Sequence, residues 1–255
     1  MVVYELTPFP RRRRKKPAPP PTQCPAQVNP PYFFDDYLYG MDAFPLCYPV
    51  RVEEMWGITS VDPTYIGCGE VIDGAYCLVV EAGYNPDLGK HCWGVVFDTN
   101  SYYLNPATLV GRTLRITVRQ RTLSDSGNSH GCERPWGVYL VSDSDAHFGI
   151  TGGQVSGGGY RVDFYAGSRS DPSQKAQLII TGSAPEWTWL KETLEVSLGS
   201  PNSATAELIL EGVETKSESA SFTYDWPDGN LYLIIMSAPN TPMRGALDYI
   251  KVEVV

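Results

Sequence analysis

The sequence lacks several features that would assign a function directly. It has no run approaching the roughly 18 apolar residues that cross a bilayer, although 42% of its 255 residues are hydrophobic. It has only three histidines and no CxxC pair, which argues against a zinc site. No cationic start is followed by an apolar segment. We therefore expect neither a membrane span nor a secretory signal peptide.

Cysteine is also missing from residues 133–255. All six cysteines lie at or before position 132, and they are Cys24, Cys47, Cys68, Cys77, Cys92 and Cys132. An even number is compatible with disulfides, but the sequence cannot choose among the pairings. Buried thiols are the alternative. In either case we expect the cysteines to have structural roles.

Positive charge is concentrated at one end of the chain. Residues 1–16 hold six of the 20 Lys and Arg residues against one acidic residue, whereas residues 17–255 hold 14 against 28. The prolines that follow exclude helix and central strand, because proline lacks an N–H and has a fixed φ. We predict an extended basic and Pro-rich arm over residues 1–31 and a β-sandwich domain over residues 32–255.

The composition of the arm suits an assembly contact. An apolar start can add a strand to the sheet edge of a partner, and a basic run can lie on an acidic neighbour. The expected partner is another copy of the chain or a capsid or tail protein, while contact of the basic run with nucleic acid is left open. The residues predicted to make this contact are Val2, Val3, Tyr4, Arg11, Arg12, Arg13, Arg14, Lys15 and Lys16.

Short apolar runs separated by turn residues recur through the rest of the chain. In residues 114–119, for example, Leu, Ile and Val alternate with Arg, Thr and Arg, which is typical of a strand with one buried face. Gly, Asn, Asp and Pro separate the runs, and no long stretch has the helical period. The pattern predicts an all-β fold with two packed sheets.

Three segments, taken in order, resemble the concanavalin-A-like jelly-roll family of lectin, glucanase and laminin-G-type domains. They are residues 70–80, residues 136–140 with 158–164, and residues 229–235 with 246–252. The resemblance extends over about residues 35–255. It implies a two-sheet antiparallel jelly-roll β-sandwich with both chain ends on neighbouring strands.

The carboxylates do not follow the pattern of the hydrolytic members of this family. Those enzymes carry paired carboxylates of the E-x-D-x-x-E kind on one strand. Here Glu70 and Asp73 have an odd spacing that directs them to opposite faces, and Asp143 and Asp145 lie in a turn-like stretch. We therefore expect no catalytic residue and predict that the chain is not an enzyme.

One local segment is similar to a legume-lectin metal loop. Residues 95–99 resemble the pattern V-E-F-D-T, which implies Asp98, Asn100 and Asn105 as oxygen ligands for calcium. The match departs from the pattern because Val96 replaces the metal-binding Glu and Tyr102 replaces an expected Asn. Asp and Asn in an ordinary strand-ending turn are the alternative.

The jelly-roll layout implies a second candidate calcium site. If the two chain ends lie on neighbouring strands, Asp35 and Asp36 approach Asp248. Three carboxylates close together need a cation or water. A structural calcium is thus the candidate cofactor, and no other is expected.

Four tryptophans are the candidate glycan-binding residues, because exposed aromatic rings stack on sugars. Trp187 and Trp189 would share one face of a strand and form a platform. The alternative is that the tryptophans cap the ends of the sandwich or fill its core. The full set is Trp136, Trp187, Trp189 and Trp226.

A lectin-like sandwich with a basic arm and no signal peptide favours a virion structural protein. It would be a capsid-decoration or tail-fibre protein, made in the host cytoplasm, held on the virion surface by its arm and able to bind glycans. One alternative is a free extracellular carbohydrate-binding or carbohydrate-active module. Another is a subunit of an extracellular filament assembled by arm exchange.

Overall fold

The chain folds into two antiparallel β-sheets in a computed structural model. The structure describes residues 33–35, 69–73, 75–82, 93–96, 109–125, 136–142, 145–168, 170–225, 231–237 and 243–255. Within these residues it has fourteen strands. They are β1 (Phe33–Asp35), β2 (Gly69–Ile72), β3 (Ala75–Ala82), β4 (Trp93–Val96), β5 (Thr113–Asp125), β6 (Trp136–Ser142), β7 (Ala146–Gln154), β8 (Gly159–Ser168), β9 (Lys175–Ser183), β10 (Leu190–Ser197), β11 (Asn202–Leu210), β12 (Glu214–Phe222), β13 (Leu231–Ser237) and β14 (Met243–Val254).

The described strands divide into a larger and a smaller sheet. The larger sheet has the order β12-β11-β10-β5-β14-β3-β2, and β1 also pairs with β14. The smaller sheet has the order β4-β13-β6-β7-β8-β9. Because β1 lies beside β14, with Phe33 opposite Val252, the first and last described strands are neighbours. The predicted two-sheet antiparallel jelly-roll sandwich is confirmed.

Alternation along the strands separates the core from the surface. On β5, Leu114, Ile116 and Val118 are buried in the core cluster, as the sequence pattern predicts. The smaller sheet contributes Phe148 and Phe164 from the facing side. The inner faces of both sheets thus form one apolar layer, and the outward positions are left for other roles.

Strand β7 was not predicted from the sequence. Its residues include Gly149, Gly152 and Gly153, and glycines close together indicate a turn. The structure gives a packing reason instead, since a Cβ atom at Gly152 would lie 2.3 Å from the backbone oxygen of Arg161 on β8. Glycine here permits close approach between two strands.

Cys77 has the structural role expected for the cysteines. It is buried on β3, and burial raises the pKa of its thiol to about 12. The other five cysteines lie outside the described residues. Among the residues that are described, none forms a helix of the length and hydropathy that a membrane crossing requires.

Candidate functional site

The outer face of the smaller sheet carries a group of polar and aromatic side chains. Their neighbours at alternate positions point into the core, so these side chains point outward. Outward side chains of an antiparallel sheet usually meet water, yet four of the six have relative exposures of only 0–7%. We call this group the polar patch: Tyr139 on β6, His147 and Thr151 on β7, and Arg161, Asp163 and Tyr165 on β8.

Strand register brings the polar patch together. Tyr139 lies opposite Gly149, and Gly149 in turn lies opposite Tyr165. In the next row Thr151 lies opposite Asp163. Because neighbouring strands are about 4.8 Å apart, the patch spans three strands and is about 10 Å wide at the backbone.

The ring of Tyr139 lies over two glycines. A Cβ atom at Gly149 would lie 2.1 Å from Cδ1 of this ring, and one at Gly137 would lie 2.5 Å from its Cε2. Both ends of the ring therefore approach the sheet, and the ring lies along the sheet surface. Any larger residue at either glycine would displace it.

Asp163 is a fully buried carboxylate held by an arginine of its own strand. Arg161 donates from Nε to both carboxylate oxygens of Asp163, at 3.2 and 3.0 Å, and from Nη2 to Oδ1 at 2.9 Å. A buried charge needs such a partner, and the guanidinium fork matches a carboxylate. Arg161 is itself exposed, so its guanidinium can also meet a ligand from solvent.

Farther along the same face, an imidazole and a phenol pack against each other. The rings of His147 and Tyr165 have centroids 5.4 Å apart and are tilted by 40°. The Nε2 of Gln177 on β9 donates to the Tyr165 hydroxyl at 3.5 Å. Imidazole and phenol both donate and accept hydrogen bonds, so the patch combines proton-transfer groups with a fixed cation.

Trp189, a predicted glycan-binding residue, is buried at a corner of the larger sheet. It clusters with Cys77 and Ala246. The guanidinium of Arg119 lies 4.0 Å from the ring centroid, and the indole Nε1 donates to Oδ2 of Asp73 at 3.2 Å. Both the ring face and the polar edge are therefore occupied within the protein.

Trp187 does not form the predicted platform with Trp189. Trp187 lies in the turn before β10 with a φ of 61°, so the two residues do not share a strand face. Trp136 is the first residue of β6. Trp226 lies outside the described residues, and a role for these tryptophans in glycan binding stays a prediction.

Asp248, a predicted calcium ligand, accepts a hydrogen bond from a cation of the protein. Nη1 of Arg119 lies 2.6 Å from its Oδ2. Asp35 is on β1, opposite Ile250. No group of three or more His, Cys, Asp or Glu side chains suited to a metal ion occurs in the described part of the chain.

The remaining predicted calcium ligands and the whole arm fall outside the described residues. Calcium binding and the assembly role of residues 1–31 therefore stay predictions. The residues concerned are Asp36, Asp98, Asn100 and Asn105, together with Val2, Val3, Tyr4, Arg11, Arg12, Arg13, Arg14, Lys15 and Lys16.

Sequence reasoning missed the polar patch, although β8 contains a signal for it. Arg161, Asp163 and Tyr165 alternate with Val162 and Phe164, which predicts three polar side chains on one outward face. The contributions of β6 and β7 have no comparable signal, because the glycines of β7 hide its strand character.

Comparison with known proteins finds relatives of the fold. No protein-family model matches the chain, and no curated protein matches it by sequence. Among solved structures, the marine PL-14 alginate lyase from Aplysia kurodai matches with a TM-score of 0.53 and 9% identity, covering 75% of this chain and 88% of the lyase. A GH16 glucanase from Bacteroides ovatus matches at 0.49 and 10%, covering 87% and 99%. A legume lectin-like domain from Entamoeba histolytica matches at 0.47 and 10%, covering 84% and 92%.

These likenesses are of fold, and they correct one prediction. The structural neighbours are concanavalin-A-like jelly rolls, as the sequence resemblance implies. They include an alginate lyase, so the fold is one that carries catalysis, and the prediction that the chain is not an enzyme is wrong. It rested on the absence of one carboxylate pattern, and this fold does not depend on that pattern to carry catalysis.

Proposed function

We propose that the protein is a carbohydrate-binding or carbohydrate-active β-sandwich that holds its saccharide at the polar patch. The observation that supports this most directly is the fixed group of polar side chains on an outward face. A sugar site needs ring faces and a few convergent hydrogen-bonding groups. Tyr165, Arg161 and Gln177 provide these at the accessible side of the patch.

The exposed guanidinium of Arg161 favours an acidic saccharide over a neutral one. Asp163 engages Nε and Nη2 of Arg161, and the guanidinium group, with five N–H donors in all, is exposed to solvent. A guanidinium fork binds carboxylates with two parallel hydrogen bonds. We therefore propose a uronic-acid-containing oligosaccharide as the ligand.

A second candidate is catalysis at the same patch, favoured by the neighbouring His147 and Tyr165. General acid–base catalysis needs a group that takes a proton and another that gives one. When the carboxylate of a bound uronate is neutralised, one member of such a pair can take the proton on the neighbouring carbon, and the other can give a proton to the leaving oxygen. The electron pair then forms a carbon–carbon double bond as the glycosidic oxygen leaves and is protonated.

The test is titration calorimetry of the full chain with oligogalacturonate and oligomannuronate. We expect wild type to bind at least one of them, and Arg161→Ala to bind at least about tenfold more weakly, since a hydrogen bond to a charged group is lost. Ser219→Ala, an exposed change on β12, is the control and should bind as wild type does. Failure to bind either oligouronate, or equal binding by Arg161→Ala, contradicts the proposal.

The same oligouronates distinguish binding from catalysis. An enzyme of the proposed kind releases unsaturated products, which absorb in the ultraviolet. His147→Gln should then abolish product while leaving binding measurable. Binding without product in wild type identifies a binding module.

The virion role of the chain also remains a proposal. Its support is the basic arm of residues 1–31 beside an acidic domain, with other structural subunits as partners of the arm. On this proposal the protein is made in the host cytoplasm, and its sandwich faces outward on the virion surface. The alternative, a free extracellular carbohydrate module, requires only the sandwich domain and its polar patch. The fold neighbours support this alternative better than the virion role.

A further inference from the structure

The outer face of the larger sheet contains a groove at its centre. The groove has a volume of about 540 Å³ and crosses β11, β10, β5 and β14. This volume falls within the range of small-ligand sites. It lies on the sheet opposite to the one that carries the polar patch.

Two threonines form the floor of the groove. Thr117 on β5 lies directly opposite Thr193 on β10. Longer side chains stand on either side, Arg115 and Glu195 in one row and Lys191 in the other. Thr117 is only 7% exposed although it points outward, so the floor lies well below these rims.

A bulge in β14 places an aromatic residue on the groove wall. Leu247 pairs with Gln120 and Tyr249 with Arg119, which leaves Asp248 as an extra residue between them. Leu247 and Ile250 are both buried, so Asp248 and Tyr249 both face outward. Bulges commonly redirect side chains near functional sites.

The bulge is fixed by Arg119. This guanidinium donates to Asp248 at 2.6 Å and to both carboxylate oxygens of Glu211 at 2.6 and 2.7 Å. It also stacks on Trp189. Tyr249, next to Asp248, is therefore held on a rigid wall, and its partial burial raises the pKa of its hydroxyl.

The charges that line the groove cancel. Arg115, Lys191 and Lys251 face the groove together with Glu195, Glu207 and Glu253. Arg115 pairs with Glu195 at 2.5 Å and Lys251 with Glu253 at 2.7 Å. Lys191 and Glu207 form no ion pair within the described residues. A neutral groove does not attract a polyanion or a polycation, but it offers strong hydrogen-bonding groups.

We propose that this groove is a second saccharide site, which takes a neutral oligosaccharide of about two sugar units. One sugar stacks on the ring of Tyr249. Hydroxyl groups of the ligand donate to the carboxylate of Glu207 and accept from the ammonium of Lys191. The site does not depend on the polar patch, and it differs from that patch in the charge of its ligand.

The experiment is calorimetric titration of the full chain with cellotriose, xylotriose and mannotriose, and with trigalacturonate as the anionic comparison. Wild type should bind at least one neutral trisaccharide. Thr193→Trp, which fills the floor, should abolish this binding. Tyr249→Ala should weaken it about tenfold because the stacking contact is lost. Ser219→Trp, on the same outer face but on β12, should bind as wild type does.

Several results would contradict the proposal of a saccharide site in the groove. They are no binding of any neutral trisaccharide, neutral binding that survives both groove variants, and tighter binding of trigalacturonate than of the neutral sugars at the groove. Neutral binding that is lost in Arg161→Ala but kept in Thr193→Trp assigns the ligand to the polar patch and likewise overturns it. The function proposed for the polar patch is tested separately, by titration of wild type and Arg161→Ala with oligouronates.

Discussion

The two outer faces of the sandwich differ in the burial of their charged pairs. On the smaller sheet Asp163 is fully buried beside its arginine. On the larger sheet Arg115 and Glu195 form a comparable pair but are 35% and 38% exposed. A buried charge is held in place by its partner. An exposed ion pair is screened by water and contributes little to the stability of the fold. Polar alternation in a strand therefore does not decide whether a face is rigid or solvated.

The larger sheet also hides one carboxyl on its inner face. Glu192 lies three residues before Glu195 on β10 and points into the sandwich. Gln120 Nε2 donates to both of its oxygens at 2.8 and 2.7 Å. Burial raises the pKa of Glu192 to about 8, and the amide only partly opposes this.

The largest effect is expected from Glu192→Gln. With a folded-state pKa of about 8 against an ordinary value of 4.5, the folded protein holds an additional proton between these two pH values. Stability from this group is therefore fully present below pH 4.5, falls as the pH rises through this window, and is constant above about 8. At about pH 9 the variant should be more stable than wild type by on the order of 4 kcal/mol.

Urea unfolding from acidic to alkaline pH measures this difference. The two proteins should have similar stability at the acid end and diverge as the pH rises. Glu195→Gln, which changes an exposed carboxyl on the same strand, should follow wild type. Parallel stability curves for Glu192→Gln and wild type would rule out a neutral Glu192 at physiological pH.

The second-largest expected effect is a loss of stability at the polar patch, which shows whether the patch is tightly packed. Gly149→Ala places a Cβ atom where it would lie 2.1 Å from the Tyr139 ring, so the ring must move. We expect the free energy of unfolding to fall by about 3 kcal/mol. Gly159→Ala is the control, since its Cβ atom would meet only Val155 at an ordinary 3.4 Å. Equal stability of the two variants would mean that the ring is not held in place.

The smallest expected effect is the difference in lost stability between substitutions of two arginines on one face of β5. Arg119 and its partner Asp248 are only 19% and 16% exposed, so Arg119→Ala should cost about 2 kcal/mol through lost pairing and stacking. Arg115→Ala, four residues earlier, should cost less than about 1 kcal/mol. Thermal or urea unfolding measures both, and a larger loss for Arg115→Ala would reverse the proposed order of rigidity.

Much of the fold could be predicted from residue patterns. The alternation on β5 identified its buried face correctly, and most of the family-like segment at residues 229–235 lies in strand β13, Leu231–Ser237. Strand β12 was harder to predict, because it begins at Glu214 in a mostly polar stretch. It is an edge strand, exposed along most of its length, and such a strand needs no apolar alternation.

The candidate sites were harder to predict. Tryptophans suggested sugar binding, but Trp189 packs against Arg119 instead. A sequence shows which side chains alternate along one strand, but it does not show which residues lie across from them on the next. Tyr139 meets Gly149 only because β6 and β7 pair in one register.

The amino-acid sequence alone determined an all-β sandwich, because the period of two and the turn residues are local properties of the chain. It also determined the concentration of positive charge in residues 1–16 and the acidic balance of the rest of the chain. Tertiary structure decided which polar residues are buried, since Gln120 and Glu192 are 72 positions apart and interact only across paired strands. It likewise decided the polar patch and the groove, because register, a bulge and burial set the position of each side chain.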